Sequence, residues 1–90
     1  MSFLHSREFL NRGDTVIVHC SHQSNILLTD DTNFNNYKNR RSFTHEGGGG
    51  FFEKLPASLV VPHDGHWNIT IDLAGGAANV THSIRIIKAG

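Results

Sequence analysis

The clearest pattern of hydrophobic and polar positions is Trp67-Asn68-Ile69-Thr70-Ile71-Asp72-Leu73. Apolar and polar residues alternate without a break, which predicts a strand with Trp67, Ile69, Ile71 and Leu73 on one face and Asn68, Thr70 and Asp72 on the other. Thr15-Val16-Ile17-Val18-His19-Cys20 is β-branched and apolar on both faces, as expected of a central strand. After a polar break at Ser21-His22-Gln23-Ser24, residues 25–29 carry Ile26-Leu27-Leu28 as a further strand. Residues 57–61 form a strand bracketed by Pro56 and Pro62, which suits a sheet edge. His63-Asp64-Gly65 makes a turn, and residues 74–78, with Gly75-Gly76, make a hairpin-like loop. Val80, His82, Ile84 and Ile86 then share the buried face of a last strand, with Thr81, Ser83 and Arg85 opposite.

Two stretches depart from this strand pattern. In residues 3–12, Phe3, Leu4, Phe9 and Leu10 have partial helical spacing, Ser6 is an N-cap residue type and Gly13 a natural stop, so a short N-terminal helix is expected. Residues 29–50 are rich in turn formers (Asp30, Asp31, Asn33, Asn35, Asn36, Asn39) and end in the tetrad 47–50 of glycines. They read as a long irregular connection, which Phe34, Tyr37 and Phe43 anchor onto a core. The expected fold is mostly β: one domain over residues 1–90, a small antiparallel β-sandwich or partly closed barrel of about five to seven strands.

Composition narrows the class. At 38% apolar residues the chain has enough for a core, and its apolar runs are strand-sized, too short for a membrane span. A chain this long buries roughly 60–65% of its unfolded surface, so it folds alone with a thin margin. Met1-Ser2-Phe3-Leu4-His5-Ser6 has no basic segment leading into an apolar one, so no signal peptide is expected. Cys20 is the single cysteine, and with no disulfide to form a cytoplasmic location is the default. The triplets Asn68-Ile69-Thr70 and Asn79-Val80-Thr81 then have no glycosylation role. Eight basic residues balance eight acidic ones, which argues against nucleic acid as a partner.

Seven histidines are the unusual count. His63 and His66 stand three apart, with His19, Cys20 and His22 elsewhere, but residues three apart in a strand point to opposite faces, so only a turn brings them together. They are expected to be turn and surface residues, with no metal and no cofactor. His82, flanked by Ile84, is expected to be a core histidine with a hydrogen-bond partner. Cys20 has His19 on the opposite strand face and is expected to be a half-buried structural thiol. The tetrad 47–50 lacks the lysine and hydroxyl residue of a phosphate loop and reads as a flexible tip. The strongest candidate is Tyr37-Lys38-Asn39-Arg40-Arg41, a basic cluster beside an aromatic ring, suited to an anionic or sugar-like ligand through arginine forks and ring stacking.

Several phrases are distinctive: Asn25-Ile26-Leu27-Leu28-Thr29-Asp30-Asp31, Arg41-Ser42-Phe43-Thr44-His45, Val61-Pro62-His63, Gly65-His66-Trp67-Asn68-Ile69-Thr70-Ile71-Asp72-Leu73 and His82-Ser83-Ile84-Arg85. Together they resemble a bacterial family, DUF1883, over nearly the whole chain. The resemblance implies small stand-alone proteins and domains joined to Toll/interleukin-1 receptor (TIR) domains, hence a recognition or sensing role. It carries over no catalytic residues, and the 47–50 glycine run is longer than usual for the family.

The expected function is a non-catalytic binding module for a small ligand or a protein partner. Its ligand-binding residues would be Asp30, Asp31, Asn33, Tyr37, Arg40, Arg41 and His45, with His63, His66 and Trp67 alongside. A second reading is a histidine-based metal-binding protein or hydrolase using His63, His66 and His45 or His82. A third is an oligomerisation module, a homodimer pairing through an exposed strand edge.

Overall fold

A computed structural model describes residues 3–73 and 80–89. Its elements are β1 (Phe3–Leu10), β2 (Thr15–Cys20), β3 (Ser24–Thr29), α1 (Asp31–Lys38), β4 (Gly50–Phe52), β5 (Ala57–Val60), β6 (Gly65–Asp72) and β7 (His82–Ile87). The strands form two antiparallel sheets, a four-stranded one in the order β1-β6-β3-β4 and a three-stranded one in the order β5-β2-β7. The fold is mostly β and sandwich-like, with no closed barrel.

One apolar interior joins the sheets. Val16, Val18, Ala57 and Leu59 from the smaller sheet meet Ile26, Leu28, Trp67, Ile69 and Ile71 from the larger, with Leu10 and Val61 completing the cluster. The alternation of β6 sends Trp67, Ile69 and Ile71 inward, as their pattern predicts. β2 is the central strand of its sheet and β5 an edge strand, also as predicted.

The N-terminal segment is not a helix. Leu10 and, in part, Leu4 are buried against the interior, while Phe3 and Phe9 lie on the opposite face, so the apolar pairs that mimic helical spacing straddle a strand. Pairing all eight residues with β6 overrides the local preference. The helix lies at α1, where an irregular connection was expected. Asp30 caps it, its carboxylate accepting from Asn33 N–H at 2.8 Å; Asp31 in the first turn and Lys38 in the last complement the helix dipole.

Gly47 and Gly49 of the glycine tetrad are packed, so it is not a free tip. A Cβ on Gly47 would stand 2.7 Å from Val60 O, and one on Gly49 would stand 2.5 Å from Ile26 O. The backbone therefore threads between β3 and β5, and Gly50 already belongs to β4. His82 is not a core residue either: it is exposed at the start of an edge strand, where Ile84 and Ile86 are only half-buried. The predicted hairpin loop at 74–78 lies outside the described residues. The strands flanking it, β6 and β7, belong to different sheets and do not pair with each other.

Candidate functional site

β6 presents Asn68, Thr70 and Asp72 on the outer face of the larger sheet, beside His5 and Arg7 of β1 and Leu27 and Thr29 of β3. Three of the polar positions there are not solvated. Asn68, Thr70 and Thr29 are fully buried, because α1 lies across them. The helix contributes Phe34 and Tyr37, which with Leu27 form a second small cluster bordered by Phe3 and Phe43. Phe3 meets both rings edge-on, and Phe43 meets Tyr37 edge-on at 5.4 Å.

A hydrogen-bonded chain secures the N-terminal end of α1. Arg7 donates to both oxygens of Asp31, from Nε at 3.0 Å and from a terminal nitrogen at 2.7 Å. Asn68 donates from Nδ2 to Asp31 at 2.8 Å and to Thr29 O at 3.3 Å, which leaves its Oδ1 to accept from His5 Nε2 at 2.8 Å. The His5 ring stacks on Phe34, centroids 4.0 Å apart. The Arg7 guanidinium, then the Asn68 amide, hold the Asp31 carboxyl well below the usual carboxylate range. The same bond raises Arg7. Nearer the other end, Tyr37 donates its hydroxyl to Asp72 at 2.6 Å; burial first, and then Asp72, push its ionisation above the ordinary tyrosine range. The buried hydroxyls of Thr29 and Thr70 have no partner among the described residues.

After α1 the chain turns through a Schellman cap. Asn39 is the C-cap, Arg40 N–H donates to Tyr37 O at 3.1 Å, and Arg41 N–H donates to Asn36 O at 2.8 Å. Arg40 occupies the left-handed position with φ 58, the only non-glycine to do so among the described residues. Thr44 N–H donates to Asn33 Oδ1 at 2.9 Å, tying the return segment to the helix. Lys38 stands 5.3 Å from the Phe34 centroid. The ion pairs among the described residues are Arg7–Asp31 and Lys88–Asp14, so Lys38, Arg40 and Arg41 meet solvent with no carboxylate partner.

The predicted site residues therefore divide. Asp30, Asp31, Asn33 and Tyr37 lie on or cap α1, but their polar groups already serve the fold. The Tyr37 ring is buried, whereas Arg40 and Arg41 are open. His45 is exposed, its ring centroid 6.4 Å from that of Phe43. His66 meets Phe9 edge-on at 5.2 Å. Trp67 faces the interior and donates to His63 O at 3.1 Å. Among the described residues no three histidine, cysteine, aspartate or glutamate side chains group as metal ligands would. Arg7, His5 and Asn68, which organise the helix, were not singled out in the sequence. Asn68 carried a signal, a polar residue in the middle of the strongest strand, but its burial depends on a helix that the sequence did not reveal.

A cavity of about 320 Å³ opens at the far end of the smaller sheet, lined by His19, Cys20, Leu55 and His82 among others. Cys20 and His82 are directly opposed across β2 and β7. Ser24 donates its hydroxyl to His22 O at 3.0 Å, so toward Cys20 Sγ, at 3.6 Å, it accepts and the thiol hydrogen is the donor. A nucleophile requires the thiolate instead, so this arrangement favours a structural thiol.

Comparison with known proteins gives one family. The family model described as "Domain of unknown function (DUF1883)" matches residues 1–90, the whole chain. Neither the curated proteins nor the solved structures yield a significant match. No helix among the described residues is long and apolar enough to cross a membrane.

Proposed function

The chain belongs to the DUF1883 family, and from that premise we propose that it is a non-catalytic binding or sensing module, recognising a small ligand or a protein partner through the segment of residues 30–45. One observation carries this reading: Lys38, Arg40 and Arg41 stand exposed, with no carboxylate partner among the described residues, at the end of a helix that is fixed to its sheet near both ends. A rigid support lowers the ordering cost of binding, and arginine forks bind oxyanions in two-point fashion.

Native mass spectrometry of untagged protein, purified gently from its own cells, tests the reading. A bound mass is expected on the wild type and not on the R40A/R41A double variant, which should keep the wild-type circular dichroism spectrum. A folded double variant that retains the bound mass refutes the assignment to this segment.

A further inference from the structure

The left-handed position of a Schellman cap is glycine's position, because a Cβ there crowds the neighbouring carbonyl. Arg40 holds it at φ 58 and does not repay the strain with an ion pair to any described residue. Local stability therefore does not account for arginine at this point. Unfavourable backbone retained at an exposed charged residue is a mark of function.

The charge around Arg40 has the same character. The carboxylates of α1 stand at its opposite end, where Asp30 caps the helix and Asp31 is held by Arg7 and Asn68, so they are spent within the fold. Arg40, Arg41 and Lys38 concentrate positive charge on a chain whose net charge is zero. Three cations are too few to track a phosphate polymer, whereas two adjacent guanidinium forks match carboxylates. The tip lines no part of the cavity beside Cys20.

The geometry points to a docking surface: the capped end of α1, through Arg40 and Arg41, receives an acidic segment of a partner protein. This rests on the binding-module reading and narrows it to one class of partner. Arg40 supplies one fork from a backbone conformation fixed in advance, Arg41 a second, and Lys38 adds long-range attraction.

The test uses the full chain and a fluorescently labelled hexaglutamate peptide, read by anisotropy at low salt. Saturable binding is expected on the wild type. R40G should weaken it about tenfold, the loss of one charge-assisted contact. The same substitution should raise Tm by about 4 °C, since glycine relieves the strain. R41K should also weaken binding, because lysine keeps the charge and loses the fork. Undiminished peptide binding by R40G overturns the inference, as does a fall in its Tm. So does absence of peptide binding, or binding abolished by equimolar pyrophosphate, which would make phosphate the preferred ligand. If the peptide arm fails while native mass spectrometry still finds a bound mass lost in R40A/R41A, the binding module stands and only the acidic partner is excluded.

Discussion

On the outside of the smaller sheet, Thr15, Ile17, Val60 and Ile87 share one face and are at least partly exposed, apolar though three of them are. On the outside of the larger sheet, Asn68, Thr70 and Thr29 are fully buried, although they are the polar positions of their strands. A polar residue in an alternating strand faces away from the main interior, and whether it then meets water depends on what lies above it. Here α1 lies above it, and the polar floor becomes the means of holding the helix in one orientation. Directional hydrogen bonds from Asn68, His5 and Arg7 fix rotation and position, which a purely apolar floor would specify less sharply. The helix in turn positions Arg40, the only arginine among the described residues with a left-handed backbone.

Substitutions on the two faces put this contrast to the test. Asn68→Ala should have the largest effect, a loss of about 3 kcal/mol in urea unfolding, because it strips partners from His5, Asp31 and the buried Thr29 carbonyl together. A loss below about 1 kcal/mol would mean that the network adds little beyond the packing of Phe34 and Tyr37.

Tyr37→Phe should cost about 2 kcal/mol at neutral pH by removing a hydrogen bond to a carboxylate. It should also change the alkaline limb. The native tyrosine ionises above its ordinary range, so its contribution is fully present below about pH 10 and is lost as pH rises beyond that. The Phe variant should lack that share of the alkaline loss in a pH series of thermal melts.

Thr70→Val should stabilise by about 1 kcal/mol, since it replaces a buried hydroxyl without a partner by a methyl group of similar size. Thr15→Val, in the half-exposed face of the smaller sheet, should change stability by under about 0.5 kcal/mol. Equal effects at the two threonines would erase the distinction between the faces.

Asp31→Asn should cost less than about 1 kcal/mol, because the Arg7–Asp31 pair is roughly half exposed and screened by solvent. Its signature is in acid. The lowered Asp31 contributes stability above an unfolded carboxylate's pKa of about 3.9 and loses it as pH falls further. Acid unfolding of the Asn variant should show a shallower limb there.

The strands were legible in the sequence where one pattern had one meaning. β6 alternates cleanly, β2 is β-branched, and the prolines flanking β5 mark an edge. Legibility failed where two periods fitted the same residues. Phe3-Leu4 and Phe9-Leu10 satisfy a helix and a strand alike, and only the unpaired side of β6 decides between them. It failed again at α1, whose asparagines have weak helix preference and whose buried stripe is two residues, Phe34 and Tyr37. The anchoring role of the aromatic residues could be read, but the helix they belong to could not. Of the candidate site, the arginines were visible as a charge cluster, whereas the φ of Arg40 is set by Tyr37 and Asn36 carbonyls and leaves no mark in composition.

The order of the strands also sets a timetable. Among the described residues β1 pairs only with β6, and β2 pairs with β5 and β7, so neither of these strands finds a partner there until the second half of the chain has been made. A ribosome adding about 5–20 residues per second leaves them waiting for seconds with open edges. Distant pairing of this kind favours slow folding over rapid local collapse. The arrival of β6 is then the decisive event, because this one strand supplies partners to β1 and β3 at once and brings the polar floor on which the helix settles.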